Sequence, residues 1–167
     1  MRENWDRALS FVRVWEGGAA IRPNEPGGAV NKGVSLQAYR EWCQKHGRRP
    51  PTIDDLLNIS DADVSSFYKE RADQIGFDTL PSGYDLAMFN ASTMQGIHGA
   101  KDLDEIAKGD LGYLIILHMA KKMQDPNVGP HINPVSGKTE SYGKGWASRL
   151  VATYEAGKAL QDGKVSV

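Results

Sequence analysis

The sequence lacks several features that define large protein classes. Its 167 residues include one cysteine, Cys43, so no disulfide can form within the chain. No apolar run approaches the roughly 20 residues that a transmembrane helix needs. The first segment, MRENWDRALSF, has no apolar stretch of the kind found in secretory signal peptides. We therefore expect a chain made in the cytoplasm without a signal peptide, and no insertion into a membrane.

An excess of basic residues is also missing. The formal net charge is −1, whereas a general nucleic-acid-binding protein needs a basic excess to neutralise phosphates. The histidines show no metal-ligand spacing, and the glycines form no phosphate-binding loop. The sequence thus predicts no nucleic-acid partner, no metal and no cofactor. Cys43 and His118, both in apolar surroundings, are predicted to be a buried inert thiol and a hydrogen-bonded core histidine.

What the chain does contain is a mostly α-helical pattern. Its length fits a single domain, which we assign to residues 1–160, followed by a C-terminal tail at 161–167. Helical spacing and capping residues predict helices over about 4–16, 36–47, a short segment after Thr52, 61–75, 83–95, 102–108, 110–124 and 144–160. The Gly/Pro-rich segment 17–34 is predicted to form a short hairpin or lobe, and 125–145 a long loop.

The glutamate at the end of the first helix is the most informative residue. Trp5, Leu9 and Val12 form an apolar stripe, and the same spacing continues to Glu16, just before Gly17. The negative pole of the helix disfavours an ionised carboxylate by a few tenths to about 1 kcal/mol, and burial acts in the same direction. Such an acid keeps its proton more readily, as cleavage of a glycosidic bond requires. The alternative is a surface glutamate that happens to precede a glycine cap.

The segment that follows Glu16 carries a recognisable motif. EGG, then PNEPGGAVNKGVS, resembles the signature E-G-G-(six)-D-x-G-G-x-T-N-x-G-[IV]-[ST] of the phage and bacterial N-acetylmuramidases of glycoside hydrolase family 108. The matching positions are Glu16, Gly17, Gly18, Gly27, Gly28, Asn31, Gly33, Val34 and Ser35. LPSGYDLAMFNAST is similar to a second family segment at Leu80, Pro81, Asp85 and Asn90. YGKGWASRL resembles the closing helix of the family at Gly145, Trp146 and Arg149.

The resemblance implies a lysozyme-like fold, mostly α, with a small irregular or β-containing lobe after the first helix. It implies a peptidoglycan hydrolase that cleaves the β-1,4 bond between N-acetylmuramic acid and N-acetylglucosamine, with Glu16 as the general acid. The enzyme would serve phage lysis or wall penetration by a virion. It would act on the cell wall after release through a holin-type route, or be carried in the virion with other virion proteins.

Two positions depart from the family pattern. Glu25 stands where the family carries Asp, and Val30 stands where it carries Thr. Glu25 keeps the charge and is our second candidate catalytic residue. Val30 has no hydrogen-bonding group and cannot position water. This loss leaves open a lytic transglycosylase, in which Glu16 alone serves first as acid and then as base.

Five further residues are candidate site residues. We expect Asn31, Tyr84 and Asn90 to bind substrate, and Asp85 and Arg149 to support the site. The alternatives are half-buried packing for Tyr84, bracing of the fold for Asp85 and a surface position for Arg149.

A function of another class is a non-catalytic wall-binding or virion structural module that has kept only the cleft. The presence of Glu16 with its glycines argues against it, because a binding module does not need an acid at the end of a helix.

Overall fold

The computed structural model describes residues 4–16, 18–21, 29–124, 131–132, 139–140 and 143–164. These residues are mostly α-helical, as predicted. The chain divides into a small unit, Leu9–Arg71, and a large unit made of Met1–Ala8 and Ala72–Val167. The assignment of residues 1–160 to one domain stays a prediction. Among the described helices, none is both long and apolar enough to cross a membrane.

The small unit contains a three-stranded sheet. Helix α1 (Trp5–Glu16) leads into the strands β1 (Ala20–Ile21), β2 (Ala29–Asn31) and β3 (Val34–Ser35), which pair antiparallel in the order β1-β2-β3. In this sheet Val30 pairs with Ala20 on one side and Ser35 on the other. The sheet lies in the Gly/Pro-rich segment, and it confirms the predicted hairpin or lobe.

Three helices complete the small unit, and side-chain caps define where each begins. They are α2 (Leu36–Lys45), α3 (Ile53–Leu57) and α4 (Asp61–Gln74). The hydroxyl of Ser35 accepts the backbone N–H of Ala38, and that of Ser60 accepts the N–H of Asp63. Thr52 and Asp55 form a full capping box at α3. The starts of all three helices were predicted from these polar residues.

The buried face of α2 supplies much of the interior of this unit. Tyr39, Trp42 and Cys43 are each less than a tenth exposed, and Tyr39 stacks on Trp42 with ring centroids 6.0 Å apart. Burial raises the pKa of the Cys43 thiol. Since the thiolate is the reactive form, this agrees with the prediction of an inert thiol.

The large unit is built on three long helices, α5 (Tyr84–Ala107), α6 (Leu111–Met123) and α7 (Gly143–Gln161). Each of these helices packs against the other two. Trp5, Phe77 and Phe89 form a buried aromatic cluster with ring centroids 5.4–5.9 Å apart. Such edge-to-face and tilted contacts add to the stabilisation that burial alone provides.

The structure bears out one prediction in this unit and corrects another. Gly96, at φ 76° and ψ 169°, is non-helical, so α5 consists of two helices that meet at a kink. The first ends where the helix predicted over 83–95 ends, and the second begins several residues before the predicted start at 102. The segment predicted as a loop contains the antiparallel pair β4 (His131–Ile132) and β5 (Thr139–Glu140). Strands of two residues are too short to produce an alternating pattern that sequence reading can detect.

Two glycines allow close contact between α7 and the start of α5. A Cβ atom on Gly157 would lie 2.8 Å from the carbonyl oxygen of Gly83 and 3.0 Å from Leu111 Cδ2. The backbone carbonyl cannot move aside as a flexible side chain can. Gly157 is therefore required by packing.

His118 of α6 is 1% exposed and lies edge-on to Trp146, with ring centroids 5.4 Å apart. Its burial was predicted. In the described part of the chain its Nε2 has no hydrogen-bond partner, which corrects the prediction of a hydrogen-bonded histidine. Burial lowers the pKa of His118 to about 3, and the positive charges of Lys122, Arg149 and Lys121 add to that shift. The folded protein thus keeps this imidazole neutral.

The substitution Gly157→Ala should destabilise the fold by about 1–3 kcal/mol, because an added methyl group in a packed contact forces backbone shifts. Gly145→Ala is the matched control, since it lies on the same helix with no heavy atom within 4 Å of an added Cβ. There alanine should stabilise by up to about 1 kcal/mol through its better helix propensity. Urea unfolding of both variants measures the difference, and equal effects would contradict the proposed contact.

The low pKa of His118 predicts a loss of stability in mild acid. The unfolded chain takes up this proton near pH 6.5, whereas the folded protein takes it up only near pH 3. The contribution of the neutral His118 to stability is complete above pH 6.5 and is lost as the pH falls toward 3. At pH 5 the free energy of unfolding should already be lower by about 2 kcal/mol. Urea unfolding at pH 7 and pH 5 should show a smaller loss in His118→Phe than in the wild type. His98→Gln, at an exposed histidine, should keep the full loss.

Candidate active site

Glu16 is the last residue of α1 and is half-buried. The same helix buries Leu9 and Val12, while Val14, on the opposite face, is 80% exposed. Glu16 therefore lies at the edge of the apolar face, as the spacing predicted. Its side chain is at the carboxyl end of the helix, where the backbone dipole disfavours a negative charge.

A tight turn between β2 and β3 closes on the Glu16 side chain. Lys32 and Gly33 form the two-residue connection, and both have positive φ, 49° and 77°. This is the pattern of a type I′ hairpin turn, which matches the twist of the strands it joins. A Cβ on Gly33 would lie 2.6 Å from Glu16 Cγ and 2.7 Å from Glu16 Cβ, and still closer to the Tyr68 hydroxyl. Glycine is required here both by conformation and by space.

Helix α4 supplies two residues that the sequence did not point to. Tyr68 is 1% exposed, and its hydroxyl donates to the carbonyl oxygen of Lys32 at 3.1 Å. Arg71 follows one turn later on the same face, with its Cζ 5.7 Å from the centroid of the Phe67 ring. Burial lowers the pKa of Arg71, while negative charge on Glu16, and on Tyr68 where it ionises, acts in the opposite direction. In the sequence, the i, i+3 spacing indicates only that Tyr68 and Arg71 share one helix face. No motif marked either residue as part of a functional site.

Asp61, at the start of α4, ties three elements of the small unit together. Its Oδ1 accepts from Arg13 of α1 at 2.5 Å and from Lys32 of the turn at 2.9 Å. Lys32 Nζ also donates to the carbonyl oxygen of Ile59 at 3.1 Å. The hydrogen bonds from Lys32 and Arg13 lower the pKa of Asp61. These contacts hold the turn against α1 and α4, beside Glu16.

Asn31, predicted to bind substrate, is 6% exposed. Its amide nitrogen donates to the carbonyl oxygens of Leu56 and Leu57 at 3.0 and 2.9 Å. These are carbonyls of the last turn of α3, which have no partner within the helix. The position of Asn31 favours a structural role, anchoring β2 to α3, over contact with a glycan.

Four of the predicted residues lie in the large unit and are buried: Tyr84, Asp85, Asn90 and Arg149. Tyr84 is fully buried and donates to Asp104 Oδ1 at 2.7 Å; burial raises its pKa. Asp85 accepts from Asn4 Nδ2 at 2.8 Å and from the backbone N–H groups of Gly83 and Leu86. These contacts correspond to the packing and bracing alternatives for Tyr84 and Asp85.

Asn90 and Arg149 are brought together in the large unit. Arg149 Nε donates to Asn90 Oδ1 at 2.8 Å, and Asn90 Nδ2 donates to Thr153 Oγ1 at 3.0 Å. A second guanidinium nitrogen of Arg149 donates to Thr93 Oγ1 at 3.1 Å. Asn90 has no exposed surface, and Arg149 is 8% exposed. The pair joins α5 to α7, and a supporting role for Arg149 agrees with this position better than a surface one.

Glu25, the second candidate catalytic residue, lies outside the described residues, as do Gly17, Gly27 and Gly28. Val30 is half-buried in β2. Within the described ranges, no three His, Cys, Asp or Glu side chains are grouped to hold a metal ion.

The family model for glycosyl hydrolase 108 matches residues 9–96, which is more than half of the chain. The match includes Glu16, the turn at Gly33, all of α4 and the first part of α5 up to Gly96. Among curated protein sequences, none matches this chain significantly.

A solved structure, that of Brucella abortus SagA, is similar in fold. The two chains have 21% identical residues and a TM-score of 0.75, with 95% of each chain covered. At this identity the likeness establishes the fold alone, which is the lysozyme-like, mostly α-helical fold expected from the sequence. The family match over more than half of the chain shows that the chain belongs to glycosyl hydrolase family 108 and is a glycoside hydrolase that acts on peptidoglycan.

Proposed function

We propose that this protein is an N-acetylmuramidase that hydrolyses the β-1,4 bond between N-acetylmuramic acid and N-acetylglucosamine, with Glu16 as the general acid. The observation that carries the proposal is the placement of Glu16. A carboxyl group lies at the end of α1, half-buried, against a turn that only glycine can form at position 33. This arrangement lies within the region that matches the family.

The chemistry requires Glu16 to give a proton to the oxygen that leaves with the departing sugar. A carboxyl group does this best when it is still protonated close to the working pH. The turn at Gly33 restricts the side chain from one side, so that the acid is held in place before substrate arrives.

The second carboxylate is proposed to be Glu25, which would activate water or stabilise the positive charge that develops on the sugar. Its longer side chain replaces the Asp of the family pattern. The distance between the two carboxyl groups determines the stereochemistry: roughly 5–5.5 Å in retaining enzymes and 6.5–9.5 Å in inverting ones.

A lytic transglycosylase is the second candidate, and Val30 favours it. Valine offers no donor or acceptor to hold an attacking water, in a strand that runs directly into the turn at Gly33. In that reaction the 6-hydroxyl of the muramic acid attacks its own anomeric carbon, and Glu16 alone acts first as acid and then as base. No water is consumed, so the product carries an anhydro-muramic end.

In the biological setting that we propose, the enzyme is made in the bacterial cytoplasm of a phage-infected cell and degrades the wall after release. Release would occur through a holin-type pore, or the enzyme would be carried in a virion with other virion proteins. Peptidoglycan is the partner in either case.

The substitution Glu16→Gln tests the proposal, because it keeps the size of the side chain and removes the transferable proton. Purified peptidoglycan is incubated with the wild type or the variant, and the released fragments are analysed by mass spectrometry. We expect reducing muropeptides from the wild type and at least about a hundredfold less from the variant, since the loss of a general acid costs about 10²–10⁴ in rate.

Other products would change the assignment. Fragments with anhydro-muramic ends, lighter by one water, would establish the transglycosylase. Full activity in Glu16→Gln would show that a residue other than Glu16 is the general acid. No fragments from the wild type, together with sedimentation on peptidoglycan, would establish a wall-binding module instead of an enzyme.

A second prediction concerns the turn. Gly33→Ala should lower kcat by about a hundredfold, because even a shift of about 1 Å in a catalytic group has an effect of this size. Gly47→Ala is the matched control, since Gly47 also has a positive φ of 65° but nothing lies within 4 Å of an added Cβ. Backbone strain should cost each variant roughly 1–2 kcal/mol, and Gly33→Ala should lose more stability than Gly47→Ala because its added Cβ also meets Tyr68 and Glu16. Only Gly33→Ala should lose activity, and equal activity in the two variants would contradict a role for the turn in positioning Glu16.

A further inference from the structure

Helix α6 of the large unit has few polar groups on any side. In its sequence, LGYLIILHMAKKM, the acidic and basic residues are limited to Lys121 and Lys122 in the last turn, besides the neutral His118. A helix that is apolar all round is normally enclosed by other elements on every side. Here α6 packs against α5 and α7, and it buries one side, with Leu111, Leu114, Ile115 and His118. The opposite side faces solvent.

The solvent-facing side, which we call the outer face of α6, consists of Tyr113, Ile116, Met119, Ala120 and Met123. All five are exposed, Ile116 and Met123 to 63% and 75%. Positions 113, 116, 120 and 123 follow the alternating spacing of three and four residues by which helices form a seam with one another. Single exposed apolar residues are common on protein surfaces, whereas a continuous stripe of them marks an interaction surface.

The two lysines of α6 do not bring charge onto the outer face. Lys121 Nζ lies 3.5 Å from Asp102 Oδ2 of α5. Lys122 Nζ lies over the Trp146 ring of α7, 4.3 Å from its centroid. The outer face therefore offers no cation to an anionic surface such as a lipid headgroup or a nucleic acid. It complements another apolar, uncharged surface, and a second copy of itself is such a surface.

The order of side chains on the outer face suits pairing with a second copy about a two-fold axis. Positions 113 and 123, and positions 116 and 120, are each centred on 118, so an antiparallel partner places Tyr113 opposite Met123 and Ile116 opposite Ala120. A branched side chain then meets a small one, as interdigitated packing requires. A parallel partner would set Ile116 against Ile116 and leave a gap between the two Ala120 side chains.

The charges at the two ends of α6 also favour the antiparallel arrangement. Asp110 is the N-cap and accepts the backbone N–H of Tyr113 at 2.8 Å, while Lys121 and Lys122 lie in the last turn. Antiparallel pairing brings the basic end of one helix toward the acidic start of the other, and the helix dipoles then attract. Parallel pairing would bring like charges together.

The exposed apolar area is sufficient for a weak dimer. Val151 and Tyr154 of α7 lie beside the outer face, since Tyr154 lines a surface depression with Gly112 at the start of α6, and Val151 is one turn earlier on α7. These two side chains and the four large ones of the outer face are 37–75% exposed. At roughly 150–200 Å² for a whole side chain, they present about 500–600 Å² per copy, or about 1,000 Å² in a dimer, which is the lower end for a specific interface.

We propose that two copies of this protein associate through the outer face of α6, antiparallel about a two-fold axis near residue 118. The small interface makes the association weak, in the micromolar range. The outer face belongs to the large unit and Glu16 to the small one, so the association is independent of the role proposed for Glu16.

Sedimentation velocity of the full chain, from low to several hundred micromolar concentration, tests the association. The wild type should shift from the monomer mass of 18.3 kDa toward twice that mass as its concentration rises. Ile116→Glu places a carboxylate at the centre of the seam and should weaken the association at least about tenfold, because the charge loses its hydration in the interface. Since Ile116 is mostly exposed in the single chain, the variant should keep the circular dichroism spectrum of the wild type.

Val14→Glu is the matched control, since Val14 is an apolar side chain, 80% exposed, on α1. It should leave the association unchanged. Equal association of the wild type and Ile116→Glu would overturn the proposal, because the copies would then meet through another surface. A wild type that is monomeric at every concentration would overturn it as well. If that monomer binds vesicles of phosphatidylethanolamine and phosphatidylglycerol, the outer face is instead a lipid-binding surface.

Cross-linking tests the antiparallel arrangement. Ile116→Cys and Ala120→Cys are treated with oxidised glutathione, each alone and as an equal mixture, and are run on a non-reducing gel. We expect a linked dimer chiefly in the mixture, because like positions in an antiparallel pair are displaced along the helix by four residues, about 6 Å. Cys43 is buried, so the wild type should give no cross-link. Cross-links chiefly in the separate variants would overturn the antiparallel pairing.

Discussion

The small unit depends on the close approach of a backbone turn to a carboxyl side chain. The turn at Lys32 and Gly33 has two consecutive positive φ angles and no room for a Cβ at its second position. This one constraint places the Lys32 carbonyl where Tyr68 donates to it and the Lys32 ammonium where Asp61 accepts it. The position of Glu16 at the end of α1 is therefore fixed by contacts that converge on the same few atoms.

Polar residues that match a family motif do not all serve the same purpose. Asn31 holds the carboxyl end of α3, and Asn90 with Arg149 joins α5 to α7. Each is buried, and its hydrogen bonds go to other protein groups. Leaving such a group without its partner costs about 1–3 kcal/mol, which is reason enough for its presence without contact to substrate.

The sequence by itself determined the mostly helical fold, the starts of α2, α3 and α4, and the placement of Glu16 at the end of a helix. These follow from local physics: caps such as Thr52 with Asp55 satisfy backbone groups three residues away, and helical spacing needs only one segment. Only the tertiary structure decided that Tyr68 and Glu16 both lie against Gly33, and that Tyr84 and Asn90 are interior. Those contacts join residues far apart in the chain, and a local pattern carries no information about which distant side chain will fill the space next to it.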